Sequence, residues 1–179
     1  MGMTCETSRQ TRTRCSIVLA AKLLCLSMLT LCLSTCATRR PEQRWDYPVP
    51  CIWPTPSGAR VATSEFGETR RAGGSRHYRH QGIDISAPKG WPVYATADGI
   101  VCETDRDWGG YGKHVVIQHP NGYSTLYAHL AKARVSTGER VRAGQIIGEI
   151  GKTGRATGYH LHYEVRRDGR PLNPRPYLP

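Results

Sequence analysis

Phenylalanine occurs once in 179 residues, which leaves Val, Ile, Leu, nine Tyr and four Trp to build an interior. That set suits strands better than helices. No stretch beyond the N-terminal segment shows helical periodicity with caps, so a helical bundle is excluded. Seven cysteines are present but no Cys-x-x-Cys spacing, so any metal site must draw on histidine and carboxylate. Acidic residues are few, 14 against 25 Lys and Arg, for a net charge of +11. The excess is spread: residues 37–179 carry 21 basic and 13 acidic residues, still +8. Such a surface is drawn to an anionic polymer or membrane face. Nucleic acid is not expected as a partner, because no recognition helix or ribonucleoprotein-type aromatic motif accompanies the charge.

What is abundant is glycine (19) and proline (12), the composition of many short strands joined by tight turns. Apolar-alternating runs recur at Pro92-Val93-Tyr94, Gly99 to Cys102, His114 to His119, Tyr123 to His129 and Gln145 to Ile150. Pro120-Asn121-Gly122 between two of them is a hairpin signal. The expectation is an all-β chain, a single compact domain of seven to nine mostly antiparallel short strands.

Residues 1–36 are a different kind of sequence. Arg9, Arg12 and Arg14 precede an apolar run from Ile17 to Leu33, interrupted by Lys22. This reads as an export signal, with a membrane anchor as the rival since about 17 residues is near the lower limit for spanning. The run ends in Leu33-Ser34-Thr35-Cys36, which resembles the bacterial lipobox. Residues 1–35 are then a lipoprotein-type signal peptide, and lipidated Cys36 becomes the mature N-terminus. Ala37 in second position favours sorting to the outer membrane, facing the periplasm. Residues 36–57, rich in Pro and Arg, read as a tether, with Cys51 and Trp53 packing at its domain edge. Residues 58–179 form the domain. Cys51 and Cys102 remain in an oxidising compartment, either as a disulfide or as two free thiols.

Near the C-terminus, His160-Leu161-His162-Tyr163-Glu164-Val165 alternates strictly, as a half-buried strand does. Leu161, Tyr163 and Val165 form the core face, and His160, His162 and Glu164 line the other. Two imidazoles side by side on a rigid strand mark a candidate site; Glu164 on the same face reads either as an acceptor that orients a site histidine or, the favoured reading, as an exposed strand-end carboxylate. A loop rich in Arg and Gly, Glu68 to Arg79, leads into His80, and His80 and Asp84 are four apart. Fully extended they would stand about 13 Å apart, so His80 must sit on a loop and fold back beside Asp84, with Gly82 permitting the bend.

Four motifs in order complete the picture: His80-Gln81-Gly82-Ile83-Asp84 with Ala87-Pro88, Tyr127-Ala128-His129-Leu130, Val141 to Gly154 with its repeated glycines, and Thr157-Gly158-Tyr159-His160-Leu161-His162-Tyr163-Glu164-Val165. Together, over about residues 58–176, they resemble the LytM/lysostaphin-type zinc endopeptidases, peptidoglycan hydrolases. Tyr159 departs from the Pro usual before His-x-His.

The resemblance implies an open groove holding one zinc ion, with His80, Asp84 and His162 as ligands. It places His129 and His160 beside the reacting water as catalytic residues, and leaves open which is the general base. Peptide cross-links of peptidoglycan are the implied substrate, met from a lipid-anchored position on the membrane. Some relatives have lost zinc ligands and act as regulators that activate cell-wall amidases; this is the alternative role and partner. His77, His114 and His119 are expected to be structural. Tyr78, Trp91, Trp108 and Tyr111 are candidates for lining the groove.

Overall fold

The computed structural model describes residues 45–59, 61–71, 77–107 and 110–179. The expected signal segment, Cys36, the first part of the expected tether and Trp108 lie outside them. Twelve strands form among the described residues: β1 (Ala62–Ser64), β2 (Thr69–Arg71), β3 (His77–Arg79), β4 (Ile83–Ser86), β5 (Pro92–Tyr94), β6 (Gly99–Asp107), β7 (Gly112–Gln118), β8 (Tyr123–Ala133), β9 (Arg140–Val141), β10 (Ile146–Ile150), β11 (His160–Arg167) and β12 (Arg170–Leu172). Every pairing is antiparallel. The all-β expectation holds, with more strands than the seven to nine read from sequence.

The main sheet runs β1-β4-β11-β8-β7-β6-β9, with β10 joining β8 to β5 and β12 joining β11. The strand with the two histidines, β11, therefore lies inside the sheet, between β4 and β8. The β7–β8 hairpin turns at Pro120–Gly122, where Asn121 takes the left-handed conformation, φ 61°. Such a turn suits Asn and Gly.

Leu161, Tyr163 and Val165 are fully buried and join Ile83, Ile85, Ile117, Leu130 and Ile147 in the core. Tyr127 of β8 and Tyr163 of β11 are register partners, with ring centroids 5.4 Å apart. Both phenols meet the Thr96 hydroxyl, at 3.0 and 2.9 Å. The two buried phenol tips are thus satisfied through one threonine, as buried polar groups must be.

Two readings need correction. First, Glu68 to Arg79 was expected to be a loop, but it contains the β2–β3 hairpin. Its three-residue strands, Thr-Arg-Arg and His-Tyr-Arg, carry no apolar alternation to betray them. Second, residues 45–57, read as part of a tether, pack on the domain and belong to the same compact unit. Trp53 is buried in the core, and backbone bonds join Asp98 to Tyr47, Cys51 to Thr96 and Tyr94 to Pro54. Of the two states left open for Cys51 and Cys102, the structure has the free thiols. They lie in separate surroundings: Cys51 Sγ faces the Thr96 carbonyl, and the exposed Cys102 Sγ on β6 faces that of Val116.

Candidate metal centre and active site

The site is assembled across the β4–β11 pair. Asp84 and His162 are direct register partners, and both side chains lie on the face opposite the core. His80, just beyond β3, folds back over them as expected. Its Nε2 lies 3.0 Å from His162 Nδ1 and 3.2 Å from Asp84 Oδ1, while Asp84 Oδ1 is 2.9 Å from His162 Nδ1. All three residues are buried.

Gly82 makes this approach feasible by its lack of bulk rather than through an unusual bend. A Cβ there would lie 2.3 Å from the Tyr163 carbonyl oxygen and 2.8 Å from Glu164 Cγ. Only glycine lets the chain leading into β4 press against β11 at this point.

The far nitrogen of each imidazole in the trio is already committed. His80 Nδ1–H donates to the Glu65 carbonyl at 2.8 Å, and His162 Nε2–H donates to Glu164 Oε1 at 2.8 Å. These bonds fix which nitrogen is left to face the centre. Two imidazole nitrogens and one carboxylate oxygen converging in this way are the donor set of an open zinc site, and the residues fit that ion.

Asp84 is held on both sides. Burial alone would raise its carboxyl, but the close His162 and His80 imidazoles and the Arg70 guanidinium outweigh it and keep it well below the ordinary carboxylate range. The Arg70 guanidinium reaches Oδ2 at 2.5 Å from β2, so Oδ1 is the oxygen left for an ion. Arg70 was not identified from sequence; it sits in the hairpin mistaken for a loop.

His129 arrives from β8 by a local irregularity. Val115 pairs with Tyr127 and Lys113 with Leu130, so β8 spends one residue more than β7 over this step. This is a β-bulge, the device that re-aims a side chain next to active sites. His129 sits in it at φ 62°, a left-handed conformation rare outside glycine, with its N–H bonded to the Tyr111 carbonyl at 2.8 Å.

His129 Nδ1–H donates to the Thr153 carbonyl at 2.8 Å, and His160 Nδ1–H to the Gly158 carbonyl at 3.0 Å. Each ring therefore keeps Nε2 as an acceptor. His160 Nε2 lies 3.8 Å from Asp84 Oδ1, and the two rings are 4.7 Å apart. Burial, with His160 and His162 nearby, pushes His129 down to about 4 despite its bond to Thr153. It is neutral at physiological pH.

Glu164 was expected to be exposed and is completely buried. Burial would raise its carboxyl; the bond from His162, the Arg166 charge and the Tyr111 hydroxyl hold it below its usual value instead. Tyr111 reaches it at 2.8 Å and Arg166 Nε at 2.7 Å.

Two adjoining clefts of about 390 and 580 Å³ share Arg70, Tyr78, His129 and Arg155 on their walls. Tyr78 and Tyr111 line this groove. Trp91 does not: it packs over Gly58 at the core edge. His114 bonds Gly112 and Glu103, His119 bonds Asp98 and Thr125, and His77 is exposed on β3, all away from the centre.

A β scaffold carrying this donor set, with two acceptor imidazoles at its edge, has the make-up of a metallohydrolase. Residues 78–174 match the model of Peptidase family M23, and the chain belongs to that family. It is similar to the DD-carboxypeptidase/endopeptidase Mpg of Neisseria meningitidis, 54% identical over 95 residues, 53% of this chain and 22% of that protein. It is also similar to the lipoprotein NlpD/LppB homolog of Pseudomonas aeruginosa, 40% identical over 56% of this chain and 33% of the relative. Among solved structures, a zinc-containing peptidase from Vibrio cholerae superposes with a TM-score of 0.63 at 39% identity, over 68% of this chain and 37% of that one. The matched stretch spans about a fifth of the length of Mpg.

Proposed function

We propose that the chain is a zinc-dependent endopeptidase that hydrolyses peptide cross-links of bacterial peptidoglycan. The observation that carries this is the convergence of His80, Asp84 and His162 beside two imidazoles whose Nε2 atoms remain free to accept a proton. Bound zinc would supply Lewis acidity, activating a water at neutral pH and polarising the scissile carbonyl. His80 Nε2, Asp84 Oδ1 and His162 Nδ1 would hold it.

The chain's own residues do the rest. His129 and His160, each anchored through Nδ1, can each take a proton at Nε2 and return it to the leaving amine. Once protonated, either can donate a hydrogen bond to developing negative charge on the substrate. A peptide lying in the groove can pair with exposed backbone and so set its register. The names of relatives such as Mpg support the substrate class.

The rest of the reading concerns address. Residues 1–35 direct export, and lipidated Cys36 anchors the chain to the outer membrane, facing the periplasm, where a basic surface favours contact with the anionic wall. A second reading, a regulator that activates a cell-wall amidase, is favoured by the similarity to the NlpD/LppB homolog. Retention of all five groups favours catalysis over it.

Digestion of purified peptidoglycan with and without a chelator separates the two. New peptide termini that vanish with the chelator and return with zinc are expected. Intact cross-links under all conditions, with stimulation of an added amidase, would establish the regulator instead.

A further inference from the structure

The His-x-His strand contributes more than its two imidazoles. Its next outward residue, Glu164, is buried beneath the site, and its carboxylate is saturated from three sides. Oε1 accepts from His162 Nε2–H and from the Tyr111 hydroxyl, both at 2.8 Å. Oε2 accepts from Arg166 Nε at 2.7 Å, with a second guanidinium nitrogen at 2.6 Å. Arg166 also donates to the Tyr111 oxygen at 3.2 Å. The result is a closed ring of Glu164, Tyr111 and Arg166, backed onto one metal-facing imidazole.

A buried carboxylate costs several kcal/mol in desolvation unless it is paired and bonded, so the ring requires a counter-charge. Arg166 supplies it from the same strand. The guanidinium fork then leaves Oε1 in a fixed direction, toward His162. Tyr111 extends the arrangement. Its hydroxyl braces Glu164, and its carbonyl accepts the His129 N–H at the bulge. One residue thus spans both halves of the site.

We propose that Glu164, braced by Tyr111 and Arg166, is a positioning residue that keeps the His162 proton on Nε2, so that Nδ1 faces His80 and Asp84 and sets the site's affinity for a divalent metal. The inference rests on the zinc reading of the site. It reaches residues outside the trio that would hold the ion.

The experiment measures zinc affinity of the full chain by competition with a chromogenic chelator, together with imidazole 15N–1H NMR of the zinc-loaded protein. In the wild type the His162 ring should coordinate through Nδ1 and carry its proton on Nε2; coordination through Nε2 would overturn the inference with no variant needed. Glu164→Leu should bind zinc about 10–100-fold more weakly. Glu164→Gln keeps an oxygen for the imidazole proton and should recover part of that loss. A purely structural role would lower the melting temperature of both variants and leave the affinity and the His162 coordination signature unchanged, and that outcome refutes the proposal. If the wild type itself binds no zinc, the metal reading fails; if it binds and Glu164→Leu binds as tightly, only the positioning role fails.

Discussion

Asp84 and His162 face each other across the β4–β11 pair, and Asp84 Oδ1 lies 2.9 Å from His162 Nδ1. Two strands far apart in sequence thus each deliver one candidate ligand to the same rung of the sheet. His80 completes the trio from a loop. Removing a rung residue should therefore cost the site more than removing any rim group. His162→Ala and Asp84→Asn are each expected to abolish most zinc binding while the fold survives, as followed by metal analysis of the dialysed protein and by circular dichroism. Full zinc occupancy in His162→Ala would refute the ligand assignment.

His129 and His160 stand beside the centre without belonging to it. His129→Ala and His160→Ala should retain zinc and lose about 10²–10⁴-fold in the rate of cross-link hydrolysis. An unchanged rate in either variant removes that residue from the proton-transfer role. Comparison of the two would also assign the base, since the variant with the larger loss in kcat at unchanged zinc content marks it.

The left-handed backbone of His129, φ 62°, is a conformation that costs a residue with a Cβ about 1–2 kcal/mol. His129→Gly should therefore be about 1 kcal/mol more stable than His129→Ala, against the usual order of these residues in a strand. Both variants would lack the imidazole and be inactive. Urea denaturation of the pair tests this, and equal midpoints would mean that the bulge relaxes once the side chain is gone.

His119 gives a handle on pH that is independent of the metal centre. Burial lowers its pKa, outweighing the opposing bond to the Asp98 carbonyl and the Asp98 charge. In the unfolded chain it titrates near the ordinary value of about 6.5. Below that pH the unfolded state binds the extra proton, so stability falls as pH falls through the window under about 6.5 and is fully present above it. His119→Gln should flatten the dependence of unfolding free energy on pH in that window. Parallel curves for wild type and variant would contradict the assignment.

Much of the centre was legible because β11 alternates cleanly: Leu161, Tyr163 and Val165 point inward, and His160 and His162 outward. That Glu164 is buried and bonded to His162, and not exposed at the strand end, has a plain cause. Alternation assigns a residue to a face, but only the topology reveals that β11 lies between β4 and β8, with Tyr111 folding over that face. Gly82 was noticed for its flexibility and acts by close approach, a property of two strands rather than one. The His129 bulge depends on the register between β7 and β8, which no local stretch encodes. Arg70 was missed because a three-residue strand of Thr-Arg-Arg carries no pattern to read.

The buried tyrosine pair beneath the sheet has a consequence for how such a site can diversify. Tyr127 and Tyr163, tied together through Thr96, sit one step from Ala128 and His162 in the shared register of β8 and β11. A slip of one residue would break that lock before it could turn a histidine to the wrong face. Alignment of the reactive groups is thus enforced from the dry side of the sheet. The β2–β3 hairpin and the segment around Arg155, which wall the clefts, take no part in the lock. Walls of this kind can change length and charge, and with them the peptide admitted, while the chemistry beneath keeps its alignment.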